Sequence, residues 1–187
     1  MNILFTLDIN YIEQLKKCLG SIIRFHVKEG WDIYIVTEDI TEFRDFAYDA
    51  EHFNNNVRIH LIQADTQIFE AFPETIKYTR VVYYRIFAAS VLPQNLDRVL
   101  YLDPDTIVIN PLDEFYYMNL RDSYYAACSH TKGFLTEINR VRLGIKKEVS
   151  YINSGVLLMN LALLRKEQTL KSVYDYVRKR GKYFVLP

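Results

Sequence analysis

The chain has 187 residues, a length that suits one domain around a single substantial core, so residues 1–187 are read as one unit. Half of the residues are hydrophobic and a quarter are charged, and 23 basic against 23 acidic side chains cancel to a formal net charge of zero. That balance argues against a nucleic-acid binder, and the one dense basic run, Arg178-Lys179-Arg180 with Lys182, reads as a solvated helix end.

No apolar stretch reaches the roughly 18 residues that span a bilayer, and the opening MNILFTLD carries no basic leader, so neither a membrane span nor export is expected. The two cysteines, Cys18 in a helical pattern and Cys128 in a strand pattern, are read as reduced core residues of a cytoplasmic protein. The 15 tyrosines and 11 phenylalanines default to core positions, although tyrosine faces also stack on sugar rings or bases.

In chain order, residues 2–7 are apolar and β-compatible and break at Asp8-Ile9-Asn10, short polar side chains that suit a strand end and a helix start. Over residues 11–27 the apolar Tyr11, Ile12, Leu15, Leu19, Ile22 and Ile23 recur at three- and four-residue spacing, one face of an amphipathic helix. Gly30 marks a turn, residues 31–37 (WDIYIVT) a strand, 38–51 a helix and 57–62 (VRIHLI) the next strand. This βαβαβ order predicts a parallel sheet of the α/β class.

After a polar loop with Pro73, residues 79–92 read as a buried helix closed by Pro93. Residues 98–102 (RVLYL) form a strand that runs directly into Asp103-Pro104-Asp105. Beyond it come a short strand at 106–109, a helical turn at 111–117, a strand at 124–128 and a helix near 134–143. A strand at 151–160 follows, with the tight polar bend Asn153-Ser154-Gly155 ahead of its apolar run, and residues 163–179 close as a helix. No internal repeat, low-complexity tract or linker divides the chain.

Two carboxylates one residue apart at the end of a buried strand call for a neutralising charge. Alternate residues of an extended chain point to opposite faces, so both can reach one ion only if Pro104 bends the backbone. Carboxylate oxygens suit Mg²⁺ or Mn²⁺, hard ions that take one or two protein carboxylates together with the oxygens of a substrate diphosphate. The expected ligand is a nucleoside diphosphate. Alone, the D-x-D triplet reads equally well as a solvated turn.

Context separates these readings. The stretch VLYLDPDTIVINPLDEFY resembles glycosyltransferase family 8, whose members carry an apolar strand into D-x-D, then an apolar strand and Pro-Leu. ILFTLDINY at the start, YYRIFAASVLP before the triplet and YINSGVLLMNLALLR after it are similar to the family in the same order.

The resemblance implies a GT-A fold, a Rossmann-like mixed, mainly parallel sheet flanked by helices, with the nucleotide-sugar at the carboxyl ends of the strands and no G-x-G-x-x-G loop. It makes Thr6, Asp8 and Asn10 candidate contacts of the uracil and Tyr11 its stacking partner, with helix capping the alternative for Asp8 and Asn10. Arg85 resembles the family's arginine near the donor sugar, against the alternative of an exposed helix salt bridge. Asp103 and Asp105 are the metal ligands and Pro104 lies against the donor. Asn153 and Ser154 face the transferred sugar, with Gly155 allowing close backbone approach, unless the three form merely a turn.

The implied activity is metal-dependent transfer of a hexose, with retention, from UDP-glucose or UDP-galactose to a glycan or lipid-linked acceptor. Relatives acting on lipid-anchored glycans use a basic aromatic tail for peripheral membrane association; here such a tail would follow Pro187.

The family usually supplies a third metal ligand from a histidine in an H-x-x-G-x-K-x-W-like segment and carries an Asp-Gln-Asp block facing the sugar. This chain has neither. Its Leu186-Pro187 resembles the residues that stand just before that block, so the chain is read as lacking the C-terminal part of the family domain, with weak metal and UDP binding and little transfer expected. His26, His52 and His60 fall in regular elements remote from the triplet, and His130 is a candidate substrate contact near the acceptor.

Two rivals stand beside this reading. A haloacid-dehalogenase-type phosphatase also ends a strand in D-x-D, but near the N-terminus and with Thr or Val where Ile107 stands here. A non-catalytic or self-glycosylating UDP-sugar-binding scaffold would carry a surface tyrosine acceptor, with Tyr116 and Tyr117 as candidates.

Overall fold

The computed structural model describes residues 1–70, 72, 80–129 and 152–180. Among the described residues six strands form one sheet: β1 Asn2–Thr6, β2 Trp31–Thr37, β3 Val57–Gln63, β4 Arg98–Leu102, β5 Tyr125–Ser129 and β6 Ile152–Asn160, in the order β3-β2-β1-β4-β6-β5. The first four strands pair in parallel, β6 runs antiparallel to β4, and β5 pairs antiparallel to β6. The mixed, mainly parallel sheet expected from the sequence is the one found.

Side chains alternate between the two faces of this sheet with period two. Ile3, Phe5, Ile33, Ile35, Leu100 and Leu102 pack on one face against Leu15, Cys18 and Ile22 of α1 (Ile12–Ile23) and Phe46 of α2 (Arg44–Phe53). Leu4, Tyr34, Val36, Val99, Tyr101 and Leu157 pack on the other, under the helical pieces that follow residue 80 and the last two helices. Burial on both faces explains why β1, β2 and β4 read as nearly continuous apolar runs. Gly30 makes the expected turn at φ 75°, where a Cβ would stand 2.7 Å from the Asn56 carbonyl oxygen.

Several expected elements take another form. The helix over 79–92, whose first residue lies outside the described residues, is three short pieces: α3 Val81–Tyr84, a 3₁₀ turn Arg85–Phe87 and α4 Ala88–Val91. Three-residue winding stacks Tyr84 above Phe87, and both rings close on Phe69 at 4.7 and 5.0 Å. The helical turn near 111–117 is α5 Asp113–Tyr116.

The closing helix is two, α6 Leu161–Glu167 and α7 Leu170–Arg180, broken where the Thr169 and Ser172 side chains each accept from the other's backbone N–H. Arg165 on α6 donates to the carbonyls of Ala89, Leu92, Pro93, Gln94 and Leu96, which satisfies the end of α4 where Pro93 forbids a further turn. Arg178 and Lys179 are exposed at the end of α7, as a solvated helix end requires.

Residues 106–109 are not a strand. They alternate as one would, Ile107 and Ile109 exposed and Val108 buried, but Val108 N–H donates to Ser21 Oγ and its carbonyl accepts from Arg24, so α1 side chains replace a sheet partner. Cys18 is buried as expected, whereas Cys128 is exposed, because β5 is the edge strand. The helix near 134–143, and residues 130 and 151, lie outside the described residues. No helix among the described residues is long and apolar enough to cross a membrane.

At the amino end of the sheet, Asp32 accepts from Arg58 Nε at 2.8 Å and lies 2.9 Å from His60 Nε2. The Arg58 hydrogen bond, with help from His60, holds the Asp32 carboxyl at about 2. A carboxylate with a depressed folded pKa stabilises above its unfolded value and loses that contribution as pH falls through the folded one. Wild-type stability should therefore drop between about pH 4 and 2 more steeply than that of Asp32→Asn, with the variant weaker at neutral pH, as read by urea midpoints across that range.

Candidate functional site

The carboxyl edge of the sheet is where β4 delivers Asp103. The Asp103 carbonyl accepts from Thr106 N–H at 3.1 Å, closing a four-residue turn with buried Pro104 in its second position. The bend that both carboxylates need is therefore present. Asp103 is half-buried and Asp105 exposed. Asp105 stands near enough to α1 for its charge to reach Cys18, whose thiol is pushed up to about 12, mainly by burial and then by that charge. One turn earlier on α1, the buried Gln14 Oε1 has no hydrogen-bond partner among the described residues.

Asp103 is gripped from below and from the side. The Tyr101 hydroxyl, two residues earlier on the same face of β4, donates to Asp103 Oδ1 at 2.6 Å. Arg85 Nη1 lies 3.0 Å from the same oxygen, donates to the Ser154 carbonyl at 2.9 Å, and the guanidinium sits 4.3 Å from the Tyr101 ring centre. With the Arg85 side chain only 14% exposed, this pair is not the exposed helix salt bridge that the sequence left open. Burial raises the Tyr101 phenol above its ordinary value, so the group stays a donor.

β6 enters this edge from the opposite direction, and the Asp103 N–H donates to the Gly155 carbonyl at 2.8 Å. Asn153, Ser154 and Gly155 lie within β6, so the reading of them as a bend is corrected: they are strand, hydrogen-bonded beside β4. Asn153 Oδ1 accepts from Gly155 N–H at 2.8 Å, and Asn153 and Ser154 are exposed. A Cβ at Gly155 would stand 2.5 Å from Asp103 Oδ2, which explains the glycine.

The end of β1 supplies the neighbouring loop. Asp8 Oδ1 accepts from Asn10 N–H at 2.9 Å and so caps the 3₁₀ turn Ile9–Tyr11; Asn10 is exposed and Tyr11 is 46% exposed. Thr6 is only 3% exposed, with its Oγ 3.4 Å from the Tyr101 hydroxyl, so of the four residues expected at the base it is the one turned inward. The fold thus joins Thr6, Arg85, Asp103 and the start of β6 into one connected group. Sequence reasoning missed Tyr101; its place two residues before Asp103 on an extended strand was the signal.

The other candidates lie elsewhere. His60 stacks on Tyr34 and pairs with Asp32, His52 bonds the Tyr48 carbonyl, His26 is exposed at the end of α1, and His130 lies outside the described residues. Tyr116 is buried with its hydroxyl accepting from Asn2 N–H, and Tyr117 donates to Glu29, both at the amino end of the sheet.

A mainly parallel sheet with one reversed strand and an acidic turn at the carboxyl end of a central strand is the GT-A architecture of nucleotide-sugar transferases. The family model described as glycosyl transferase family 8 matches residues 2–186, and the chain belongs to that family. Among solved structures, galactosyltransferase LgtC in complex with donor and acceptor sugar analogues superposes with a TM-score of 0.87 at 24% identity, covering 100% of this chain and 67% of that one.

Mouse xyloside xylosyltransferase 1 shares the fold at a TM-score of 0.65 and 15% identity, over 97% of this chain and 74% of that one. Lipopolysaccharide 1,2-glucosyltransferase of Escherichia coli (strain K12) is 27% identical over 164 residues, 86% of this chain and 48% of that protein. Lipopolysaccharide 1,3-galactosyltransferase of Salmonella typhimurium is 24% identical over 182 residues, 95% of this chain and 53% of that protein. The chain spans about half the length of these curated relatives. The family match displaces the phosphatase alternative.

Gly155→Ala must push the Asp103 carboxylate or the β6 backbone aside, and the grip on Oδ1 leaves the carboxylate little room. The variant should lose about 1–3 kcal/mol of stability in urea denaturation, and a change of under about 0.5 kcal/mol would contradict the close approach.

Proposed function

We propose that this chain is the nucleotide-sugar-binding domain of a retaining hexosyltransferase that uses UDP-glucose or UDP-galactose and a glycan or lipid-linked acceptor of the lipopolysaccharide type. The observation that carries this reading is the acidic turn Asp103-Pro104-Asp105, set by the Asp103–Thr106 hydrogen bond at the carboxyl edge of a family 8 sheet. Cytoplasmic residence belongs to the same reading.

The donor set suits Mn²⁺ or Mg²⁺ in part. Asp103 is half-buried with Oδ2 packed against Gly155, and Asp105 is exposed, so the turn carries two carboxylates with hard oxygen donors. Among the described residues no cluster of three His, Cys, Asp or Glu side chains completes the shell. When bound, the ion supplies positive charge that offsets the charge growing on the UDP leaving group.

The chain's own residues do the rest. Asp8 and Asn10, on the capped loop after β1, present polar atoms to the uracil edge, and the half-exposed Tyr11 ring offers a stacking face. Thr6 supports them from beneath. Arg85, held between Asp103 and the Ser154 carbonyl, presents a fixed cation to donor oxygens. Asn153 and Ser154, exposed on β6, face the sugar across Gly155. An intramolecular acceptor at Tyr116 or Tyr117 lacks support, because both hydroxyls are engaged at the far end of the sheet.

Calorimetric titration of the 187-residue chain with UDP, with and without Mn²⁺, tests the reading. Binding should require the metal and should weaken by roughly tenfold or more in Asp105→Asn. Metal-independent binding, or none, would remove the basis for the proposal.

A further inference from the structure

Asp103 has two carboxylate oxygens, and the fold treats them differently. The Tyr101 hydroxyl and Arg85 Nη1 both act on Oδ1, at 2.6 and 3.0 Å. Oδ2 faces Gly155, where even a methyl group would come within 2.5 Å of it. One oxygen is tied down by hydrogen bonds, and the other rests against a glycine whose missing side chain leaves just enough room for the carboxylate.

Tyr101 is fully buried, so its hydroxyl cannot turn to water. It lies between Asp103 Oδ1 and Thr6 Oγ, the latter at 3.4 Å. Because Tyr101 donates to the carboxylate, the Thr6 hydroxyl is the group placed to donate to Tyr101 in turn. Thr6, Tyr101 and Asp103 share one face of β1 and β4, since Leu4 pairs with Tyr101 and side chains alternate. Arg85 covers the ring at 4.3 Å and keeps it from rotating away. A buried tyrosine needs only one partner, yet this one is spent on the carboxylate at the mouth of the site.

We propose that Tyr101, backed by Thr6, is a positioning residue: by holding Asp103 Oδ1 it fixes the orientation in which the Asp103 carboxylate meets a divalent cation at the acidic turn. This rests on the metal-binding reading above. Outer hydrogen-bond partners of metal-ligating carboxylates typically govern affinity by about 10–100-fold, and Tyr101 is in that position relative to Asp103.

The test is Mn²⁺ binding to the full 187-residue chain without nucleotide, followed by the loss of the free-ion paramagnetic resonance signal, in wild type and Tyr101→Phe. The variant keeps the ring, its packing and the Arg85 contact, and removes only the hydroxyl. Its Mn²⁺ dissociation constant should rise roughly tenfold or more. A constant within about twofold of wild type, even with a lowered melting temperature, would assign Tyr101 a packing role only and overturn the proposal.

Should Tyr101→Phe fail to fold, Thr6→Val carries the same measurement: loosening the hydroxyl behind Tyr101 should weaken Mn²⁺ binding roughly two- to fivefold, and an unchanged constant would overturn the proposal. Wild-type chain that takes up no Mn²⁺ would overturn the metal reading itself, whereas wild-type binding that Tyr101→Phe leaves intact would overturn only the role of Tyr101.

Discussion

The hydrogen bond from Asp103 N–H to the Gly155 carbonyl, 2.8 Å, is where a reversed strand meets a parallel sheet. Parallel strands all end at one edge, so that edge alone would hold only strand ends and the loops that follow them. β6 runs the other way, and its first residues therefore arrive beside the last of β4. That reversal brings Asn153, Ser154 and Gly155 against an aspartate some fifty positions earlier, a distance along the chain that no local pattern spans. It also puts the Ser154 carbonyl 2.9 Å from Arg85 Nη1, so one guanidinium ties both strands to the covering helical layer.

Charge at this edge is balanced locally. An aspartate at the end of a buried strand is costly without a partner, and Arg85 provides one at 3.0 Å in a half-shielded setting. Arg85 is itself held by the Val82 carbonyl through Nε and by the ring of Tyr101. Asp105, two residues further on, is exposed and stands near enough to α1 to act on Cys18. The two carboxylates of the triplet thus differ: one is built into the fold, the other is offered from its surface.

The strands at 31–37 and 98–102 were legible to the residue, because sheets buried on both faces demand uninterrupted β-branched and aromatic runs. Residues 106–109 show the limit of that rule. Alternating burial along an extended chain looks the same whether its backbone pairs with a strand or with Ser21 and Arg24 side chains. Residues 79–92 show another: apolar density marks a buried helical layer, but the tight winding at Arg85–Phe87 follows from where Phe69 sits. Cys128 resembled a core residue because its strand is apolar, and only the strand order places β5 at the edge.

By itself the sequence determined the α/β class, the resemblance of blocks along nearly the whole chain to one family, and the acidic triplet after RVLYL, with Pro104 as the residue that a bend there would need. These are local properties: hydrophobic period, backbone restriction by proline, and side-chain chemistry. Only the tertiary structure decided which way β6 runs, that Asn153–Gly155 are strand rather than bend, and that Tyr101, Thr6 and Arg85 converge on Asp103. Those depend on pairing between segments far apart in the chain, where the choice of partner is made by the packing of the whole sheet and not by the residues on either side.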